Sequence, residues 1–463
     1  MRFNRTTALA MAGVLSLGLL AACSDSDEPS DEGTGSGDKQ VTIKVAGLLP
    51  TADDAAKAQL ADRVKSFEDR HPNIKVEAVD YEWKNSTFTT ELAGGTLPNV
   101  FEIPLTDGKT LIQQGQLADI DAEVKKLPYG SDFNKTLIEN GTGDDGKIYA
   151  VPAKSIYAVG LHYNRNLFEQ AGLDPNDPPT TWDEVRKDAK AIHDKTGIAG
   201  YATMALDASG GWQLAAGANS RGGVIETNEN GAVKATLDDP AVKEHLQFIK
   251  DLKSDGSLLE RADLGWGEIN AAFAGGELAM YTSGTDIYNV LVEGNGVTAD
   301  WGYGLTAIPT SGDGGALSGG TLAAVTKQST AEQRAAAVLW IDWWYLSKLQ
   351  DQEQAVADAK TRAEANPALA VGTPVLPIFS EDLYKENLDW IKDYINVPLD
   401  DMVGYTDVMF TQPIVPEAAV ATQDLYNALV PAVQAVITDK NADIDALLKT
   451  AQETGQAAVE ANQ

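Results

Sequence analysis

Cysteine is nearly absent from this sequence. Cys23 stands alone, which excludes disulfides within the chain and any Cys₂-type metal site. Histidine is scarce as well: the four residues at 71, 162, 193 and 245 include no pair at the short helical spacing of a zinc motif. Positive charge is also short, with Lys+Arg at 36 against Asp+Glu at 68. A formal net charge of −32 repels phosphate backbones, so nucleic acid is excluded as a partner. What is present is length and core: 463 residues, 43% of them hydrophobic, suffice for two lobes, each with a buried interior.

The N-terminal end speaks to location. Arg2 and Arg5 precede an apolar run from Ala8 to Ala22, the layout of a secretory leader, and the run is too short for a permanent membrane span. It ends in Leu20-Ala21-Ala22-Cys23, which resembles a bacterial lipobox. That resemblance implies cleavage before Cys23 and attachment of acyl chains there, with several chains anchoring stably where one is marginal. Residues 24–39, SDSDEPSDEGTGSGDK, hold six acids and no large apolar side chain, so residues 23–40 are expected to act as a lipidated Cys and solvated tether. The leader's two arginines, and the tether's six acids with Lys39, leave −29 of the charge on residues 40–463. The acidity therefore belongs to the folded body, where it reads as a solubilising surface.

The body alternates strand and helix patterns. Val41, Ile43 and Val45 follow a period of two, Leu60, Val64 and Phe67 a helical period, and residues 74–79 and 99–103 read as further strands. Thr181 with Gly197, Asp239-Pro240 with Gly256, and Thr330 with Gln333 mark starts and stops of helices. The order predicts an α/β body with largely parallel sheets. Catalytic motifs fail on inspection. Residues 141–147, GTGDDGK, mimic a P-loop, but Ile148 replaces the metal-binding hydroxyl and two aspartates would repel phosphate, which leaves a hairpin-like turn. Asp174, Asn176 and Asp177 resemble part of a calcium loop interrupted by prolines, and no G-x-S-x-G elbow occurs.

Several strings occur in one order: Gly146-Lys147-x-Tyr149-x-x-Pro152, Tyr163-Asn164-x-x-Leu167-Phe168, Ala171-Gly172-Leu173 and Pro179-x-Thr181-Trp182-Asp183-Glu184. They are followed by Ala272–Met280 with Gly284, then Ile308-Pro309 and Gly319-Gly320. Together they resemble the family 1 extracellular solute-binding proteins, the maltose-binding-like receptors of carbohydrate ABC importers. The resemblance implies a two-lobed periplasmic-binding-protein-like fold, each lobe a mostly parallel sheet flanked by helices. The expected division is 41–154 plus 310–397 for the N-terminal lobe and 155–309 plus 398–463 for the C-terminal lobe. The chain would cross near Pro152–Ser155, Ile308–Ser311 and Val397–Asp401. It also implies a monomer without cofactor or enzymatic activity, held by Cys23 on the outer face of the cytoplasmic membrane, which captures an oligosaccharide and passes it to permease subunits.

A sugar site needs aromatic platforms and polar rims, and loops at strand ends supply them. Trp83 follows the second strand, and Trp212 follows Gly210-Gly211 where the family places a stacking aromatic; Trp266 stands between two glycines. Thr106 and Asp107 follow NVFEI, Ser155 and Tyr157 lie beside the first crossing, and Asp286 follows Gly284 where many sugar-binding members carry an aromatic. Gly319 and Gly320 allow close backbone approach. Trp182, Trp340, Trp343 and Trp344 fall on helical stripes and are assigned to packing. A receptor for a peptide, polyol or polyamine, and a secreted glycoside hydrolase with paired carboxylates, remain the alternatives.

Overall fold

The computed structural model describes residues 40–462 apart from 49–53, 82, 84, 155, 230–231 and 366–367, so the leader, Cys23, most of the tether and Ser155 lie outside the described residues. In chain order the strands are β1 (Val41–Leu48), β2 (Ile74–Asp80), β3 (Val100–Pro104), β4 (Ala150–Pro152), β5 (Tyr157–Asn164), β6 (Ala199–Tyr201), β7 (Glu226–Glu229), β8 (Ala232–Ala235), β9 (Leu278–Gly284), β10 (Tyr303–Ala307), β11 (Ala316–Gly319), β12 (Thr321–Val325) and β13 (Ile414–Pro416). They form one sheet in the order β2-β1-β3-β12-β4, and a second in the order β13-β11-β5-β9-β6 with β10 also on β5. β7 and β8 make a separate hairpin.

Both sheets are mixed rather than mostly parallel. In the first, β1 runs parallel to β2 and β3, whereas β12 is antiparallel to β3 and β4. In the second, β11–β13 and β6–β9 are parallel, whereas β5 is antiparallel to β9, β10 and β11. The reason lies in the crossings. A strand that returns directly from one sheet to the other, without a helical crossover, enters its new sheet against the grain. Leu322, Ala323, Ala324 and Val325 of β12, and Leu161 and Tyr163 of β5, are nevertheless buried, because helices cover both faces.

Pairing changes sheets between β4 and β5, at residues 153–156, and again between β11 and β12, at Gly320. The second change falls about ten residues beyond the expected Ile308–Ser311, and residues 316–319 pair within the second sheet. After β10 leaves one stretch of β5, β11 returns to its first residues, so the chain stays with that sheet until Gly319 pairs with Tyr157. The two connections are bonded to each other: Ala153 N–H donates to Thr321 O at 2.9 Å and Thr321 N–H to Lys154 O at 3.1 Å.

The helices obey their local signals. Thr181 accepts from Glu184 N–H while the Glu184 carboxylate caps in return, and Gly197 ends that helix at φ 74. Asp239 accepts from Ala241 N–H with Pro240 at the first helical position, and Thr330 and Gln333 form a second reciprocal cap. Pro431 sits inside the helix Thr422–Thr438, which packs on the helix Asp207–Asn219 behind the second sheet. Trp182 and Trp340 are buried as assigned. Residues 141–147 form a turn in which Gly143 N–H donates to Lys147 O at 2.9 Å. The helix Gln352–Ala363 and the segment after it are tied to other helices: Arg362 reaches Glu293 at 2.7 Å, and beyond the helix Thr373 reaches Asn289 at 2.6 Å while Asn134 donates to Pro377 O at 3.0 Å.

Candidate functional site

The strand order of the second sheet places five strand ends on one edge. β13 ends before Glu417, β11 at Gly319, β9 at Gly284 before Thr285 and Asp286, and β6 before the turn that opens the helix Asp207–Asn219; β5, running the other way, starts there with Tyr157. The ends of the parallel strands β2 and β3 put Trp83, Thr106 and Asp107 on the corresponding edge of the first sheet. Leu105 N–H donates to Gly320 O at 2.9 Å, so the edge after β3 meets the connection directly. Side chains carried by strand ends can thus converge from both sheets, which is where open α/β folds take ligands.

Tyr157 organises the second-sheet half. The Trp212 indole N–H donates to its hydroxyl at 3.3 Å, and the two rings stand edge to face with centroids 6.1 Å apart. A methyl group on Gly319 would overlap the Tyr157 hydroxyl, and one on Gly284 would sit 2.6 Å from Asp286 Oδ1 and 3.4 Å from the Tyr157 ring. Asp286 and the phenol therefore share the space over these two glycines. Gly320 has φ 132, a conformation that L side chains rarely adopt, so glycine is required at the connection itself.

The tyrosine is linked onward. Burial pushes the Tyr157 phenol well above the usual tyrosine range, and the nearby Glu417 and Asp286 charges push the same way, so it remains a neutral phenol. Glu417 accepts from the Tyr426 hydroxyl at 2.9 Å, and a methyl on Gly211, beside Trp212, would overlap the Tyr426 carbonyl. The helices bearing Trp212 and Tyr426 are consequently locked together. Two non-glycine residues with positive φ, Asp207 at 49 and Ala421 at 53, lie at the N-terminal ends of these same helices. Strain of this kind persists only where the surrounding structure imposes it.

On the first-sheet half, the Thr106 hydroxyl donates to Asp107 Oδ2 at 3.1 Å. Burial pushes the Asp107 carboxyl up to about 6, against the opposing pull of that hydrogen bond. Trp83 is half-buried against Phe88, centroids 6.2 Å apart, and its indole N–H is buried without a hydrogen-bond partner. Trp266 opens the helix Trp266–Ala274 and is 46% exposed; Leu206, whose backbone N–H donates to Leu264 O, is 41% exposed. Both present large apolar surface to solvent rather than to the core. Ser155 lies outside the described residues.

Sequence reasoning does not single out Glu417, Tyr426 or Tyr405. Glu417 follows a strand of only three residues, Ile414–Pro416, too short to show a period, and the edge it joins is assembled by strands distant in sequence. The histidines serve packing. His162 is fully buried between the Tyr303 hydroxyl and Ser283 O, and burial holds it down to about 4; His245 accepts from Arg221 at 2.8 Å. A separate open depression of about 420 Å³, bordered by Asp119, Glu123, Tyr149, Lys327 and Arg334, shares no residue with the strand-end edges.

Comparison with known proteins decides the family. Residues 62–368 match the family model described as bacterial extracellular solute-binding protein. The chain belongs to the bacterial extracellular solute-binding proteins. The sn-glycerol-3-phosphate-binding periplasmic protein UgpB of Brucella abortus is 36% identical over 143 residues, covering 30% of this chain and 32% of the relative. The diacetylchitobiose binding protein DasA of Streptomyces coelicolor is 29% identical over 197 residues, 42% of this chain and 44% of the relative. The chain thus aligns with less than half the length of either curated relative. The cyclic alpha-maltosyl-1,6-maltose binding protein of Arthrobacter globiformis shares the fold, with TM-score 0.64, 24% identity, and coverage of 91% of this chain and 99% of that one. As an extracellular solute-binding protein the chain works outside the cytoplasm, and no helix among the described residues is long and apolar enough to cross a membrane.

Proposed function

We propose that this protein is the capture subunit of an ABC importer, taking a carbohydrate, an oligosaccharide, between two lobes that close about the connections at residues 153–156 and Gly320. The observation that carries the reading is the convergence of Tyr157, Trp212, Asp286 and Gly319 on the edge that meets this connection. Pyranose rings present apolar faces and a rim of hydroxyls, and aromatic planes beside carboxylates match both. Closure requires φ/ψ change at only a few residues, and a glycine at φ 132 flanked by two short bonded strands is a place to put it. The names of DasA and of the Arthrobacter protein, both sugar binders, support the same ligand class.

In this reading the leader is removed before Cys23, and acylation there keeps the receptor beside its permease while the acidic tether gives reach. The test is a saccharide screen by differential scanning fluorimetry, followed by titration calorimetry. A ligand at a hundred times its dissociation constant adds about 2.7 kcal/mol to stability, so a cognate sugar raises the melting temperature clearly. If mono- and oligosaccharides of every common linkage leave the melting curve unmoved, carbohydrate capture is wrong.

A further inference from the structure

The hairpin of β7 and β8 stands apart from both sheets, yet one of its side chains reaches the turn beside the strand-end edge. Glu226, the first residue of β7, extends its carboxylate to the segment that follows β13. Ala419 N–H donates to Oε1 at 2.9 Å and Val420 N–H to Oε2 at 3.0 Å. Two successive backbone donors on the two oxygens of one carboxylate make charge-assisted bonds that fix orientation as well as distance. The turn needs such a hold. It runs from Glu417 to Ala421, whose φ of 53 is left-handed without help from a polar side chain, and the helix Thr422–Thr438 begins there without a side-chain cap. The hairpin is held in its turn. Ala235, opposite Glu226 in the pairing, donates to Gln456 Oε1 at 3.1 Å and accepts from Gln452 Nε2 at 2.8 Å, both on the helix Ile444–Asn462. Glu226 therefore projects from an anchored support.

The turn leads directly to the aromatic pair. Glu417, at its start, accepts from the hydroxyl of Tyr426, which the helix beyond its end carries. The Tyr426 backbone carbonyl packs on Gly211 next to Trp212, and the Trp212 indole N–H donates to the Tyr157 hydroxyl. Displacing the turn therefore displaces Tyr426, and the contact at Gly211 passes the shift to Trp212 and Tyr157. We propose that Glu226 is a positioning residue of the solute site, acting through the turn rather than on the solute: by holding the Ala419 and Val420 amides it keeps Glu417 on the Tyr426 hydroxyl, and so sets where Trp212 and Tyr157 stand. The effect on affinity rests on reading the strand-end edge as the solute site, whereas the effect on the aromatic pair does not. With 193 positions between Glu226 and Ala419, no local pattern announces the link.

The experiment reads Trp212 directly, with no solute needed. In indole N–H correlation spectra of the full-length chain with nitrogen-labelled tryptophan, the Trp212 signal is the one lost in Trp212→Phe. Glu226→Gln keeps length and shape but turns an amide donor toward one of the two backbone donors. It is expected to speed hydrogen exchange at Ala419 and Val420 and to displace the Trp212 signal, while the other tryptophan signals stay in place and report an intact fold. Tyr426→Phe, which removes the hydroxyl on Glu417, should displace the Trp212 signal by itself, and adding Glu226→Gln to it should add little, since residues in one network do not act additively. Calorimetry with diacetylchitobiose, the sugar in the Streptomyces relative's name, carries the test to affinity. Glu226→Gln should weaken binding about threefold to thirtyfold, and less when the Tyr426 hydroxyl is already gone. A Trp212 signal unmoved while Ala419 and Val420 lose protection overturns the proposal, as does an equal effect of Glu226→Gln with and without that hydroxyl. A displaced signal with unaltered affinity overturns instead the reading of this edge as the solute site. If diacetylchitobiose binds neither parent nor variant, capture of that sugar is what fails, and the Trp212 signal alone decides the role of Glu226.

Discussion

Trp212 is fixed from two directions, by its indole N–H on the Tyr157 hydroxyl and by the close approach of Gly211 to the Tyr426 backbone. The helix that carries it is held by other residues, since Leu214, Ala215, Ala216 and Ala218 are buried. Truncating the ring should therefore cost binding far more than folding. Aromatic anchors in desolvated sites typically contribute about 2 kcal/mol or more, and each 1.4 kcal/mol is a factor of ten. Trp212→Ala is expected to weaken ligand binding roughly tenfold to a hundredfold by calorimetry, with the melting temperature of the unliganded protein little changed. An unaltered dissociation constant would remove Trp212 from the site. Trp266 differs at this scale, since nearly half of its surface is exposed to solvent.

At the scale of elements, the connection between β11 and β12 concentrates the demands of the fold. Gly320 holds φ 132 while its carbonyl accepts from Leu105 N–H, so the one residue that must take this conformation is also tied to the first sheet. A residue with a Cβ in a sparsely populated region costs about 1–3 kcal/mol. Gly320→Ala should lower the melting temperature by a few degrees and reduce ligand affinity, because the strained connection disfavours the pairing that closure uses. Equal stability of variant and parent would show that the connection relaxes without cost. What was legible in the sequence follows the range of the forces. Thr181 with Glu184, Asp239 with Pro240, and Thr330 with Gln333 announce helix starts because capping acts within four residues. Strand direction and the exit at Gly320 were not legible, because β11 chooses β5 as its partner from far along the chain. The same holds in the site. Trp212, Tyr157 and Asp286 follow recognisable strand ends or glycine pairs, whereas Glu417 and Tyr405 acquire meaning only when distant strands set them beside Tyr157 and Thr285.

Over the whole molecule, charge and burial act together on stability. The body carries −29, and like charges on one surface repel in the compact state. Burial also raises several carboxyls, Asp107 and Asp188 to about 6 and Asp286 and Glu417 above their ordinary value. A carboxyl raised by folding binds its proton more tightly in the native state. Between the unfolded value near 4 and the folded value of about 6, the native protein holds protons that the unfolded chain has released, so the contribution to stability is full below that window and is lost as pH rises through it. Acids held low by an ion pair, such as Asp255 hydrogen-bonded to Arg186, have the opposite sign, but their stabilisation is lost only as pH falls below about 4. Self-repulsion also weakens on acidification. The unliganded chain should therefore melt at a higher temperature near about pH 5 than near about pH 7.5. Asp107→Asn separates the two causes, since it removes one buried carboxyl and only one of many surface-wide charges. It should raise the melting temperature more at the higher pH than at the lower. Added salt, by contrast, should stabilise parent and variant alike at neutral pH by screening. A melting temperature that falls on acidification through this window would mean that Asp107 and Asp188 are ionised comfortably in the native protein.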